Sequence, residues 1–522
     1  MNFKSLLLGL IMLTSFQKSF ADRGNPNVQF QGITIDAMIA AFMEEHDIPG
    51  MTLAIVQAPY IPRVVGYGNA NVEQRLLAST KTLWNIGQIT CAYTAVAIMQ
   101  LVEESKLHLD DTLGKHFPEM PKAWLEITFR QLLGNISGLP DYTKQSTFDF
   151  SKEYQPNQIL ALVKDQPLVF KPGTDVAQSA TNFFLLGLGI ERISGMSYEA
   201  FVKKNQIDRL GLKNTFFSSD FKSIKQETLN ESSPKHKEFL LENVYINPTE
   251  TASGYTEVEG KNSPVPKNNS SGLNAYASLW ASAEDISLWD IGLAGNILVN
   301  KKENRETIYQ AVSLNDGTKI QANAGWRFHG HKGLMSIRGD VPGFSCYLSR
   351  FTVPEELVCV TLCANKGEID LTKLARRIAG AFNPKLGPPI GSNALECIES
   401  CYDVPATMDR LEAFLKNKGV QIMARVDHTQ GAAKANLTLR PTQTLIFGNP
   451  ALGTHLMLSN QSIAADLPLR VAVWQDEVGS VWLGHDEIKI LAKQYRIENI
   501  DKIIRQMTKG LEAAVQYAIA PY

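Results

Sequence analysis

The sequence predicts a multidomain protein of mixed α+β and α/β class, with a large first domain and a small second one. The chain has 522 residues, enough for two or three domains with their own cores. Strand patterns lie at both ends of residues 26–385 with helical patterns between them, which indicates a sheet completed by distant segments. Residues 383–392 (NPKLGPPIGS) are rich in Pro and Gly, so a linker is expected at 386–396, before a small α/β domain at 397–522.

Apolar residues at helical spacing predict helices, and short apolar or β-branched runs predict strands. In the large domain, helices are expected at residues 33–45, 89–102, 183–193 and 371–382. Strands are expected there at 51–56 and 64–67, and as a hairpin at 346–351 and 357–363 around residues 353–355. In the small domain, helices are expected at 406–418, ending before a left-handed Gly419, and at 500–517, with strands at 421–426, 443–447 and 469–474.

The composition is that of an ordinary globular protein, with 44% hydrophobic and 20% charged residues. The formal net charge is −2 at pH 7, and no long run of basic residues occurs. Such a chain has no electrostatic footprint for nucleic acid or an anionic membrane, so neither is expected as a partner.

The N-terminus has the pattern of a signal peptide over residues 1–21. Lys4 gives a basic start, residues 6–13 form an apolar stretch, and Ser19 and Ala21 place small residues before an expected cut. The apolar stretch is too short to span a bilayer comfortably. We therefore expect a periplasmic or secreted protein, without stable membrane insertion after cleavage.

The cysteines occupy positions that match no zinc-site spacing, and neither a metal nor a cofactor is expected. In an oxidising compartment Cys397 and Cys401 are close enough in sequence to pair. The alternative is that the thiols are small buried residues. The six positions are 91, 346, 359, 363, 397 and 401.

Several short segments, in order along the large domain, resemble the β-lactamase-related serine hydrolases. That family includes class C β-lactamases, penicillin-binding DD-peptidases and related esterases. The resemblance implies a transpeptidase-like fold over residues 26–385, with an antiparallel sheet flanked by helices and an all-helical region. The segments are IPG at 48–50, GYG at 66–68, AVAIMQLVEESKLHLDD at 95–111, ITFRQLLGNISGLPDY at 127–142, KPGT at 171–174, ASAEDISLW at 281–289 and VPGF at 341–344.

The chemistry of that family needs a Ser at a helix start and a Lys three residues later, so that both side chains share a face. After the lead-in WNIG at 84–87, these positions hold Gln88 and Cys91. An amide is not a nucleophile, and a thiol is neither an amine nor a cation. The Gln88 carbonyl is expected to accept backbone N–H bonds that in this family face an acyl oxygen, plugging the oxyanion site. The alternative is that Gln88 points into an open cleft and holds a ligand.

The other two motifs of the family are degenerate as well. The Tyr-x-Asn positions after KPGT hold Gln178 and Ala180, and the Lys- or His-x-Gly positions before VPGF hold Ile337 and Gly339. A His often found before the SGL segment is replaced by Asn135. Loss of these groups beside a retained scaffold favours a pseudoenzyme.

Residues 397–520 resemble an uncharacterised family, domain of unknown function 302. The similarity lies in RVDH at 425–428, LRPT at 439–442, FGNP at 447–450, GT at 453–454 and DLPLR at 466–470. That family has no settled activity, so the resemblance gives a fold and no function. Asp427, His428, Arg440 and Asn449 are polar residues at strand ends, where ligands often bind. The alternative is that they hold turns.

The leading hypothesis is an exported, catalytically inactive serine-hydrolase homologue that binds a peptidoglycan fragment, an acyl ligand or a protein partner. One alternative is an active hydrolase of β-lactamase, DD-peptidase or esterase type that uses Cys91 or another nucleophile, since a thiol near a helix start can be reactive. A second alternative is an assembly module in which the tail domain homodimerises.

Overall fold

The computed structural model describes residues 28–57, 60–223, 250–268, 270–329, 333–353, 357–389 and 395–521. The expected signal peptide at 1–21, hairpin residues 354–355 and linker residues 390–394 lie outside the described residues. Within the described part of the chain, no helix combines the length and apolar character needed to span a bilayer.

An antiparallel sheet forms the centre of the large domain, and its strands come from both ends of that domain. Gly50–Gln57 pairs with Tyr60–Asn71 on one side and with Cys359–Ala364, from the far end of the domain, on the other. This confirms the predicted sheet completed by distant segments. In spatial order, the described strands are Ala322–Asn323, Trp326–Phe328, Leu334–Val341, Phe344–Phe351, Cys359–Ala364, Gly50–Gln57, Tyr60–Asn71 and Leu76–Leu77.

Helices cover both faces of this sheet, because successive side chains of a strand point to opposite faces. Leu53 and Ile55 pack in one core with Ile39 and Ile378, which lie on the first and last helices of the domain. Ala54 belongs to the second and larger core, which extends into the all-helical region. The helices are Ile35–Glu45, Ile89–Glu103, Leu113–His116, Phe129–Leu133, Pro156–Ala161, Ala180–Ser194, Tyr198–Val202, Lys203–Ile207, Asp208–Leu210, Ser270–Ala277, Ala283–Ala294, Lys302–Ile308 and Thr372–Phe382.

Short strands and single helical turns complete the large domain. Leu279–Ala281 pairs with both Trp84–Asn85 and Thr215–Phe217. Three two-stranded ribbons are Gln29–Phe30 with Ile33–Thr34, Tyr255–Val258 with Lys261–Pro264, and Val312–Ser313 with Lys319–Ile320. The tight turns of helix are Lys122–Trp124, Tyr142–Lys144, Ser218–Ser223 and Pro384–Leu386.

The small domain is an antiparallel sheet packed against helices around a core of its own. Its strands in spatial order are Leu395–Ser400, Val481–Asp486, Leu469–Gln475, Thr442–Gly448 and Gln421–Asp427. Its helices are Val404–Asn417, His428–Lys434, Pro450–Ser459, Gln461–Ala465, Ile488–Gln494 and Asp501–Ile519.

The predicted helices and strands are present, with bounds that differ by a few residues. The first helix begins at Ile35 because the hydroxyl of Thr34 caps it by accepting the N–H of Ala37 (3.3 Å). Gly419 adopts the expected left-handed conformation, with φ +71°. Among the longer elements that the sequence analysis missed are the strands Leu334–Val341 and Leu395–Ser400 and the helix Ala283–Ala294.

The two domains share a buried charged contact, which a simple linker between independent domains does not predict. Arg376 of the large domain lies 3.4 Å from Glu399 of the small domain, and both side chains are almost completely buried. The Arg376 guanidinium also lies over the rings of Phe351 and Trp482, with each ring centroid at 5.1 Å. Near the boundary, Leu386 is buried in the large-domain core.

We predict that Glu399→Gln loosens the two domains from each other. It leaves the Arg376 charge buried with only weak compensation, a change that costs about 3–5 kcal/mol. We expect a lower free energy of unfolding in urea and faster limited proteolysis at residues 383–396.

Glu396→Gln is the matched control, because Glu396 lies on the same strand and pairs with Lys373 at 3.5 Å while both side chains are partly exposed. An exposed pair contributes less than about 1 kcal/mol, so this variant should behave like the wild type. Equal effects of the two substitutions would contradict a special role for the buried contact.

Candidate functional site

The start of the helix Ile89–Glu103, called here the cleft helix, passes against the strand Leu334–Val341, called here the cleft strand. A Cβ on Gly87 would lie 2.8 Å from the backbone nitrogen of Asp340, and Gly87 has φ +53°. A Cβ on Gly339 would lie 2.0 Å from the carbonyl oxygen of Ile86. Both positions therefore require glycine, which explains why Gly339 is retained when the rest of its motif is not.

Gln88 uses its side-chain amide to bind the main chain of the cleft strand. Its Oε1 accepts the backbone N–H of Asp340 (2.5 Å), and its Nε2 donates to the carbonyl oxygen of the same residue (2.8 Å). Nε2 also donates to the hydroxyl of Tyr276 (3.0 Å). Gln88 stands at the helix start as expected, but its side chain makes no capping bond there. The amide ties helix to strand instead.

Cys91 is buried beside Gln88. Its Sγ donates to the carbonyl oxygen of Tyr276 (3.3 Å), and only 1% of the residue is exposed. Burial raises the pKa of the Cys91 thiol well above its usual range. A thiol held in its protonated form is a poor nucleophile, so the geometry weighs against Cys91 as a replacement catalytic group.

The second degenerate motif lies on the opposite wall. Gln178 lines the cleft, and its side chain makes no hydrogen bond to any of the described residues. Ala180 is fully buried at the start of the helix Ala180–Ser194. Nearby, Asn135 adopts φ +56° and its Oδ1 accepts from Nδ2 of Asn182 (2.9 Å). This wall is held by amide groups that have no acid–base function.

The third degenerate motif lies on the cleft strand. Ile337 is buried, with 1% of its surface exposed, and it takes no part in lining the cleft. Its neighbours Arg338 and Asp340 face the cleft and form an ion pair. Burial raises the pKa of the Asp340 carboxyl, although Arg338 acts in the opposite direction.

The small domain covers one side of this cleft, which encloses about 570 Å³. Gln516 and Tyr517 of the helix Asp501–Ile519 line it, as does Pro521 near the chain end. Arg410 holds this end of the chain by donating to the carbonyl oxygens of Tyr517 (2.6 Å) and Ala520 (2.7 Å). The cleft is therefore a shared surface of both domains.

Basic side chains outnumber acidic ones along the cleft. Lys144, Arg327, Arg338 and Arg410 contribute to its lining, and Asp340 is the acidic lining residue. Charges in a recess act more strongly than on an open surface, so the cleft favours an anionic ligand. The sequence analysis missed Arg327, Arg338, Arg410 and Tyr276 as lining residues. Arg338 occupies the variable middle position of its motif, and the other three belong to no motif.

The polar residues proposed from the tail sequence have local structural contacts. Asp427 caps the helix His428–Lys434 by accepting the N–H of Gln430 (2.9 Å), and Asn449 caps the helix Pro450–Ser459. Nε2 of His428 lies 3.0 Å from the hydroxyl of Thr444.

Nε of Arg440 donates to the carbonyl oxygen of Gln475 (3.1 Å). Asp427, His428 and Arg440 lie near one end of the strand Thr442–Gly448, whereas Asn449 follows its other end. Across the described ranges, no group of three or more His, Cys, Asp and Glu side chains is arranged to hold a metal ion.

We predict that Gln88→Ala lowers stability by about 1–3 kcal/mol, because the N–H and carbonyl oxygen of Asp340 lose partners inside a partly buried contact. The measurement is the free energy of unfolding in urea. Gln178→Ala is the matched control, since that amide lines the same cleft without hydrogen bonds to the described residues, and it should change stability by less than about 0.5 kcal/mol. An unchanged Gln88→Ala variant would show that the amide is a neutral remnant.

We also predict that Cys91 resists alkylation in the native protein. All six cysteines are buried and unpaired in the structure, including Cys397 and Cys401. Because burial raises the thiol pKa, Cys91 should stay protonated at pH values where an exposed thiol ionises. Iodoacetamide followed by mass spectrometry should label it only after unfolding. Rapid modification of native Cys91 would revive the thiol hydrolase alternative.

Both domains are similar to known protein families. The family model described as Beta-lactamase matches residues 35–381, and Domain of unknown function DUF302 matches residues 396–515. Protein flp of Staphylococcus aureus (strain COL) is 28% identical over 306 residues, which cover 52% of this chain and 61% of that protein. The chain thus matches less than two thirds of that relative's length.

Two further proteins are similar to this chain, one over a short segment of sequence and one in fold. The fluoride-specific ion channel FluC 1 of Brucella suis biovar 1 (strain 1330) is 38% identical over 135 residues, covering 25% of this chain and 53% of that protein. The octameric penicillin-binding protein homologue from Pyrococcus abyssi superposes with a TM-score of 0.55 at 20% identity, covering 86% of this chain and 89% of that one. The second similarity confirms the fold. With a family match across about two thirds of its length, the chain belongs to the β-lactamase family of serine hydrolases.

Proposed function

We propose that this protein is an exported, catalytically inactive member of its family that binds a cell-wall-related or acyl ligand in the remodelled cleft. The observation that carries the proposal is the pairing of the Gln88 amide with the main chain of Asp340. In this pairing the Gln88 side chain occupies the backbone N–H of Asp340, the donor that would otherwise stabilise the oxygen of an acyl substrate.

The cleft lacks the functional group that each step of acyl transfer requires. Attack on a carbonyl requires a hydroxyl or thiolate, and residue 88 offers an amide while residue 91 offers a buried, protonated thiol. Activation requires a base beside the nucleophile, and Ile337 and Gln178 have no titratable group. Stabilising the tetrahedral oxyanion requires free N–H donors, and the N–H of Asp340 is engaged. Binding does not need any of these steps.

The cleft itself supports a binding function. Its volume of about 570 Å³ lies within the common range of small-molecule sites, about 300–1,000 Å³. The excess of basic lining residues suits a carboxylate, a group that both peptidoglycan stem peptides and free fatty acids carry. Because Gln516 and Tyr517 line the cleft, a bound ligand would touch both domains.

We predict that fluorescent penicillin and fluorophosphonate probes leave the purified mature protein unlabelled, as measured by intact-mass spectrometry. The double variant Gln88→Ser with Cys91→Lys should hydrolyse a chromogenic β-lactam very slowly. Positions 178 and 337 would still lack their groups, and residues that act as a unit are strongly non-additive. A stoichiometric acyl adduct on the wild type would overturn the pseudoenzyme proposal.

We predict that a soluble muramyl pentapeptide binds in the cleft, as measured by isothermal titration calorimetry. Gln178→Trp places a large ring in the cleft and should weaken binding about tenfold or more, which corresponds to about 1.4 kcal/mol. Gln74→Trp is the matched control, because Gln74 is exposed and does not line the cleft. Gln88→Ala should bind normally, because its amide faces the strand. Equal affinity in all variants would place the ligand elsewhere.

A further inference from the structure

A second cavity lies in the small domain, away from the cleft. It encloses about 560 Å³ between the sheet and the helices Val404–Asn417, Pro450–Ser459 and Asp501–Ile519. Its lining is predominantly apolar, and two lining residues, Met507 and Leu511, are 9% and 6% exposed. The cavity is therefore a recess that enters the domain core, of a size common for small-molecule sites.

Two glycines keep this recess open. Gly453 and Gly510 lie inside helices, where Gly is less favourable than Ala by about 1 kcal/mol, and neither has a positive φ. A Cβ on Gly510 would meet no atom within 4 Å, and one on Gly453 would meet only Leu467, at 3.9 Å. Neither backbone conformation nor tight packing requires a glycine at these positions. What the two residues share is that both line the cavity.

Methionines give the recess an adaptable wall. Met423, Met457 and Met507 line it from a strand and two helices. Met423 is 49% exposed, which places it at the mouth. An unbranched thioether side chain changes shape at low cost, so such a wall accommodates flexible apolar ligands.

One cation lines the cavity. Lys418 is exposed, and its ammonium lies 5.7 Å from the centre of the Phe414 ring. It has no acidic partner among the described residues. The polar group of Asn449, also in the lining, is already used to cap its own helix.

From these features we propose that the small domain binds an amphiphile with a flexible acyl chain and an anionic head group. The acyl chain occupies the recess beside Gly453 and Gly510, and the carboxylate of the head meets Lys418 at the mouth. A free fatty acid has this chemistry. This site is separate from the cleft, so the proposal does not depend on what the cleft binds.

The test is fluorescence titration of the full mature chain with dansyl-undecanoic acid, a fatty-acid analogue. Wild type should bind the probe saturably. Gly453→Leu and Gly510→Leu fill the recess from two different helices, and each should weaken binding about tenfold or more. Gly431→Leu is the matched control, because Gly431 is also a helical glycine with nothing within 4 Å of a Cβ, yet it lies outside the cavity. This control should bind like the wild type.

The head group is tested with the methyl ester of the same probe. Wild type should prefer the acid to the ester, and Lys418→Gln should lose that preference while keeping its affinity for the ester. Circular dichroism confirms folding, and if Gly453→Leu fails to fold, Gly510→Leu decides.

Three results would overturn the proposal. The first is an absence of saturable binding by the wild type, and the second is equal affinity of the filled variants and Gly431→Leu. The third is that the filled variants abolish a wild-type dimer in sedimentation, or binding to phosphatidylglycerol vesicles, without changing affinity for the probe. The recess would then be an interface for a second copy or a membrane.

Discussion

The segment that leads into the cleft helix, residues 86–88, touches the cleft strand through main-chain atoms. The contact exists because neither Gly87 nor Gly339 has a Cβ. A methyl group at either position would overlap backbone atoms of the other element. This approach brings residue 88 within hydrogen-bond distance of Asp340. In an active relative the same approach would aim a reactive group at a substrate carbonyl; here it holds an amide against a strand. The rest of the cleft is arranged around that contact.

The residues at this contact form hydrogen bonds with the protein's own polar groups. The Gln88 amide provides a donor and an acceptor that match the carbonyl oxygen and the N–H of one residue. Cys91 donates to a backbone carbonyl, and Ile337 adds to the core. Active sites commonly hold groups that reduce stability, so the inactive role proposed above is consistent with residues that stabilise the fold at these positions.

The small domain forms part of the wall of the cleft. Its last helix and chain end contribute to the lining, and the buried contact between Arg376 and Glu399 fixes it against the large domain. Removing one partner from such a contact is costly, because the other charge stays away from water. The small domain also carries its own recess, so the chain presents two separate volumes with different chemistry, one lined by charges and one by apolar groups.

The sequence by itself determined the fold class, several of the long helices and strands, and the residue types at the positions of the catalytic motifs. Apolar periodicity predicts helices such as Asp501–Ile519, and the ordered segments carry the family resemblance. The sequence also left two roles for residue 88, which either fills the oxyanion site or contacts a ligand. Only the tertiary structure shows what Gln88 contacts, because its main-chain partner Asp340 lies 252 residues away and no side-chain pattern marks it. Neither the cleft between the domains nor the recess of the small domain could be predicted from the sequence, because each cavity forms where segments distant in sequence meet.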